Sequence, residues 1–410
     1  MSMIWPIGRT RTRWHLPVNN GTYARLAALW FGLQFVWGAV LAVSLQSRSS
    51  ALAPADGLRA YALIAALGAL VGTLAQLASG PLADRVFARC GNRRAFYAAG
   101  IVLAVPALGW FYLAPSYAQL VGAFFVLQIG MNVVGGPYAA IVPDYVPFER
   151  SGAASAWMGT LQSVGNAGGL LVAGFIANQG VVAGILAFGL VVAWLITARA
   201  TQGLASDRAA REPFRVGHDF RTLVASRMAI NFGFYTLLGF LFFFVEQSLG
   251  TPAADVRTRT ALLFLTFTLA NVAGAALGAK PADRYDKRAV VLAANAVVAV
   301  GLLLLAAAPN AAIAFAAAGI AGVAWGTYFI ADWALACTVL PRGAMASAMS
   351  VWNIAATVPQ IVAPALTTPI VERVNAALPG AGPRVAIALA IVEFTVGAVW
   401  LYRLPKGLRS

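Results

Sequence analysis

Three acids interrupt stretches that are otherwise apolar: Glu246, Asp332 and Glu393. An ionised side chain at bilayer depth costs roughly 2.5–3.5 kcal/mol on insertion scales, so each is a functional candidate by default. Asp332 has the most informative neighbours. Trp325, Tyr328 and Asp332 are spaced i, i+3 and i+7, which puts them on one helical face. Aromatic planes beside hydrogen-bonding groups suit a sugar ring, whose C–H face stacks while its hydroxyls pair. A carboxyl group there is also the candidate for proton coupling. Plain helix packing with Trp and Tyr accounts for the same face. Glu246 lies near one end of its stretch, where water solvates it, and Glu393 is expected to be a structural acid.

Uncharged groups repeat the pattern. Trp30, Gln34 and Trp37 fall at i, i+4 and i+7. Gln128 with Asn132, Gln162 with Asn166, and Asn231 with Tyr235 are pairs at i, i+4, and Asn353 stands seven residues before Gln360. Amides of this kind suit a neutral polar or polyhydroxylated solute better than an ion. Interhelical hydrogen bonds explain them equally well one at a time. Other chemistries fail on inventory. The two histidines, His15 and His218, lie in polar segments, which removes His-based triads and intramembrane His metal sites. No Gly-x-x-x-x-Gly-Lys-Ser/Thr loop is present to bind ATP phosphates. Cys90 and Cys337 lack a Cys or His at ligand spacing, so no metal, cofactor or disulfide framework is expected.

What must hold these residues is a bundle of membrane helices. Of the 410 residues 60% are hydrophobic and 10% are charged, against about 25% charged in ordinary soluble domains. A crossing helix needs roughly 20 apolar residues. Twelve stretches qualify: 23–46, 59–80, 95–114, 117–142, 152–177, 180–199, 225–248, 258–280, 289–308, 311–337, 345–368 and 384–403. Alternation of porin type is absent, so an all-α polytopic membrane protein is expected.

The net charge of +15 is explained by topology. With both termini cytoplasmic, 23 of the 29 Lys and Arg fall inside and 6 outside, as the positive-inside rule requires. Nucleic acid then drops out as a partner. The tail 1–22 has no apolar core of signal-peptide length. The longest polar segment divides the chain into an N-terminal half, 23–199, a linker, 200–224, and a C-terminal half, 225–403, with a tail, 404–410. The halves resemble each other: Gly80-Pro81-Leu82-Ala83-Asp84-Arg85 after the second stretch is echoed by Ala279-Lys280-Pro281-Ala282-Asp283-Arg284 after the eighth. Duplicated six-helix units are the build of many secondary transporters. Glycines at 159, 165, 168 and 169, and at 274 and 278, are expected where helices approach closely.

Through Gly80, Asp84, Arg85 and Arg89, with Asp283, Arg284 and Arg288 as the second copy, the whole chain resembles the major facilitator superfamily. Three stretches narrow the likeness to the glycoside–pentoside–hexuronide cation symporter and sucrose-type branch. These are Phe31 to Gly38, Ala83 to Phe96 with Arg93 and Arg94, and Ser350 to Gln360. Asn92 and Ala95 depart from the pattern of that branch. The resemblance implies a two-half transporter fold in which helices one, four, seven and ten line a central cavity, with five and eleven beside them. It also implies that Asp84 bonds near the start of helix eleven, around Ala344, and that Arg85, Arg89, Arg93, Arg94, Asp283 and Arg284 belong to the gate.

The expectation is a monomeric alternating-access carrier in a bacterial cytoplasmic membrane. It moves a small neutral polar solute, a glycoside or sugar, with protons coupled through Asp332 or, in the alternative, as an uncoupled uniporter. The second stretch holds no acid, which disfavours a sodium site there. Two rivals stand beside this reading. One is export of drugs or metabolites, disfavoured because Val164 to Gly169 lacks a Gly-Pro pair. The other is a non-transporting protein of the same fold that assists membrane-complex assembly or handles lipid or pigment.

Overall fold

The computed structural model describes residues 20–90, 92–146, 151–202, 217–339 and 345–404. Among the described residues, twelve long helices occupy the twelve apolar stretches. They are α1 (Asn20–Leu52), α2 (Gly57–Cys90), α3 (Arg94–Leu113), α4 (Tyr117–Tyr138), α5 (Ser151–Phe175) and α6 (Gln179–Ala200), then α7 (His218–Ser248), α8 (Ala253–Arg284), α9 (Lys287–Ala307), α10 (Ala311–Val339), α11 (Met345–Ala377) and α12 (Gly382–Trp400). Among the described residues, ten of these helices are long and apolar enough to cross a membrane; α11 carries Pro359, Pro364 and Pro369.

Helix starts follow the capping residues. Ser116 accepts from the Gln119 amide at the start of α4, Asn178 from Val181 before α6, and Asp286 from Arg288 before α9. Helix ends pose a harder problem, because their last carbonyls have no intrahelical donor. Arginines from other helices supply it. Arg48 donates to the Ala114 carbonyl after α3, and Arg94 to the Thr201 carbonyl after α6. Arg384 spans two ends at once, donating to Ala306 (2.6 Å) and Ser248 (3.0 Å). Charge-assisted bonds at the negative end of a helix dipole are among the stronger ones. Arg384→Met should therefore lower stability by about 2 kcal/mol, read as a drop in Tm of the detergent-solubilised protein.

Two helices outrun the expected stretches in ways that move site residues. The Asp84–Arg85 segment is not a loop: α2 continues through Pro81 to Cys90, and α8 runs through Pro281 to Arg284. A proline there only frees a carbonyl one turn back, which water can reach at the polar end. Helix α7 begins at His218, seven residues before the expected start, and so carries Arg227 well inside itself.

Within the first six helices, α1 packs on α5 and α6, and α4 on α2 and α3. Within the last six, α7 packs on α11 and α12, and α10 on α8 and α9. Two seams join the sets, α5 against α8 and α2 against α11. A twofold repeat exchanging α2 with α8 and α5 with α11 turns one seam into the other. Close approach rests on glycine, as expected. A Cβ on Gly165 or Gly169 would strike the Phe31 or Phe35 carbonyl of α1, and one on Gly274 the Val323 carbonyl of α10. Gly159 is the exception, with open space around it.

Candidate functional site

Helices α1, α2, α4, α7 and α11 converge on a cavity between the two sets. Gln128 of α4, Tyr235 and Gly239 of α7, and Gln360 and Pro364 of α11 line it, with Tyr61 and Phe124 among the aromatic walls. Its free volume, about 20 Å³, holds a water molecule and no sugar-sized solute. Three expected residues from both sets thus meet at one point. Asn132 adjoins them, its side-chain amide donating to the Gln128 carbonyl (2.9 Å) and to Gln128 Oε1 (3.0 Å). Gly72 leaves room for this pair: a Cβ there would sit 2.7 Å from Gln128 Oε1. Gln76, one turn further along α2, lies against Gly136 of α4. It is a missed polar neighbour, visible in the sequence as an amide inside the second stretch.

Asp332 is buried, at 2% exposure, and is not alone. The Arg227 guanidinium of α7 donates to its Oδ2, and lies 4.2 Å above the ring of Trp352 on α11. Asn231 donates to the Arg227 carbonyl (2.9 Å), so its amide belongs to this helix rather than to open space. Arg227 is the partner of Asp332 that sequence reasoning missed. Its signal is the spacing Arg227–Asn231–Tyr235 at i, i+4 and i+8 inside the expected stretch 225–248, masked by counting Arg227 among the cytoplasmic charges. The aromatic face before Asp332 is closed by packing: Trp325 stacks on Phe234 at 4.8 Å, meets Phe394 edge-on at 5.6 Å and touches Tyr328, itself 2% exposed.

The remaining expected residues are dispersed. Trp30 packs on Tyr138 (5.3 Å between rings), and Trp37 lies partly buried against the core. Gln34, Gln162 and Asn166 are half-buried on α1 and α5. The side chains of Asn353, Asp84 and Asp283, and the segment around Ala344, lie outside the described residues, as do His15 and the Cys337 side chain. Arg85, Arg89 and Arg284 are exposed at helix ends. Arg93 lies over Phe87 (4.5 Å), and Arg94 donates to Thr201 at the end of α6. Glu246 is half-buried in the last turn of α7. Glu393 on α12 is half-buried, with one carboxyl oxygen lacking a partner.

Polar contacts close the bundle at the end where α2 and α8 begin. On one seam Arg59 pairs with Glu372 (2.7 Å). On the other, Arg257 donates to the Ala173 (2.6 Å) and Ile176 (3.1 Å) carbonyls, and Thr258 to Gly174 (2.7 Å). Tyr61 meets Phe243 (5.8 Å between rings) above the cavity.

The bundle falls into two packed sets of helices with side chains from both around a central pocket, and it is the family match that makes it a transporter and not an enzyme. Residues 26–406 match the Major Facilitator Superfamily, and the chain belongs to that family. No curated protein matches it in sequence. Among solved structures it is similar to a bacterial homolog of the human lysosomal transporter Spinster in an inward-facing, occupied conformation, with TM-score 0.71 and 16% identity over 93% of this chain and 96% of that one. A D-xylose–proton symporter gives TM-score 0.72 and 15% identity over 94% and 98%. At these identities the likeness concerns the fold.

Proposed function

We propose that the protein is a secondary carrier that moves a small polyhydroxylated solute, of the sugar or glycoside class, together with protons. Units 23–199 and 225–403 rock against each other about the central pocket, linked through 200–224. The observation that carries this reading is the meeting of Gln128, Tyr235 and Gln360 from opposite sets in one cavity. Amide and phenol groups at such a junction pair with hydroxyls in either orientation, and the aromatic wall of Tyr61 and Phe124 suits a sugar's C–H face. The structural likeness to a D-xylose–proton symporter and the likeness of Phe31 to Gly38 and Ser350 to Gln360 to the glycoside branch support the same class.

With both termini cytoplasmic, the sealed end faces outside and the pocket would open inward. Asp84, Arg85, Arg89, Arg93, Arg94, Asp283 and Arg284 then hold the opposite closure in the other state. Asp332 is the proton-coupling acid: protonation removes the charge that Arg227 pairs with and so loosens α7 from α10. The protein works as a monomer in a bacterial cytoplasmic membrane.

Uptake of labelled monosaccharides and glycosides into proteoliposomes under an imposed proton gradient tests this. Gln128→Leu and Gln360→Leu should each lower kcat/KM tenfold to a hundredfold, which is about 1–3 kcal/mol of lost hydrogen bonding. Asp332→Asn should abolish proton-driven accumulation while leaving exchange. Full accumulation by that variant would remove Asp332 from the coupling step, and no saturable uptake of any sugar would sink the carrier reading.

A further inference from the structure

The cluster around Arg227 is short of acceptors. One guanidinium nitrogen serves Asp332, but Arg227 Nε is buried without a hydrogen-bond partner, and so is Nε1 of Trp352, a ring only 1% exposed. Both orphans are donors. An unmade hydrogen bond inside a protein costs about 1–3 kcal/mol, so such a pair marks a place where an acceptor belongs. Access runs through the arginine: its side chain is 14% exposed, against 2% for Asp332. Arg227 and Leu238 lie eleven residues apart on α7, within about 20° of the same face, and Leu238 lines the central cavity. Asn231 and Tyr235 lie between them, and the guanidinium stands about 16 Å along the helix from the pocket at helical rise.

We propose that Arg227 and Trp352 form a carboxylate-binding subsite, and that the solute is a hydroxylated carboxylate, a sugar acid, where the amides alone suggested a neutral sugar. The stacked guanidinium presents its Nε edge to a planar carboxylate, the geometry in which arginine binds such groups best. The solute's hydroxyls fall to Tyr235 and Gln360. Asp332 is then the resident competitor for the same cation. This assignment rests on the carrier reading and narrows it.

Binding of gluconate, glucose and lactate to the purified full-length protein, at matched ionic strength, tests the assignment by calorimetry and thermal shift. Gluconate should bind about tenfold more tightly than glucose. Arg227→Gln should erase that preference. Because this variant leaves a buried acid unpaired and can misfold, Asp332→Asn is the second arm. It frees the guanidinium from its competitor and should tighten gluconate about tenfold, whereas an ion pair of purely structural role would give no gain. Equal binding of glucose and gluconate, unchanged in Asp332→Asn, overturns the subsite and leaves the sugar carrier standing. Binding of lactate as tight as gluconate keeps the subsite and overturns the sugar acid. Failure of all three to bind overturns both readings.

Discussion

Arg227→Leu is expected to destabilise the protein by about 3–5 kcal/mol, and the double variant Arg227→Leu/Asp332→Leu to recover most of that loss. The reason is the burial of the acid. With Asp332 at 2% exposure, removing its partner strands a carboxylate where water cannot compensate it. Taking out both charges removes the penalty along with the attraction, and the apolar replacements pack against Trp352 and Tyr328. Thermal melts of the two variants and of Asp332→Leu alone make the comparison. If the double variant is no more stable than Arg227→Leu, the pair is not the electrostatic unit described above. Transport separates stability from function: the double variant should fold and carry nothing.

The second large effect is steric. Gly274→Val should prevent the α8–α10 packing and leave little folded protein, while Gly319→Val on α10 should be well tolerated. A Cβ at 274 runs into the Val323 carbonyl, and backbone cannot rotate away as a side chain can. At 319 nothing lies within 4 Å of the added atom. Overpacking usually costs about 1–3 kcal/mol when side chains can shift, and a helix pair held apart by its own backbone lies above that range. Monodispersity on size-exclusion chromatography is the readout. A well-folded Gly274→Val would mean that α8 and α10 are further apart than described.

Helix number and position were legible because lipid leaves a chain few options: every apolar run of sufficient length must satisfy its own backbone, and twelve runs became twelve helices. Helix ends were less so. Past the lipid the apolar signal stops while the hydrogen-bonded ladder goes on, which is why Asp84 and Asp283 lie on helices and why Arg227, near the edge of the expected stretch, was counted as a cytoplasmic charge. Side-chain direction was legible in part. The amide spacing brought Gln128 and Gln360 to the cavity, but Trp30 and Trp325 satisfied the same periodicity by packing on Tyr138 and Phe234. Periodicity reports a shared face and is silent on what covers it. Pairings across helices, such as Arg227 with Asp332 or Arg384 with two helix ends, join residues over a hundred positions or nearly eighty apart, and no local pattern encodes them.

The two seams that close one end use unlike chemistry. Arg59, exposed, and Glu372, half-buried, attract as point charges near the surface, which dissolved ions weaken. Arg257 and Thr258 instead grip main-chain oxygens at the tip of α5 in a partly buried setting, where dissolved ions intervene much less. Raising ionic strength should therefore loosen the α2–α11 side first and leave the α5–α8 side clasped. The mouth would then part like a book with one spine rather than like a pair of doors.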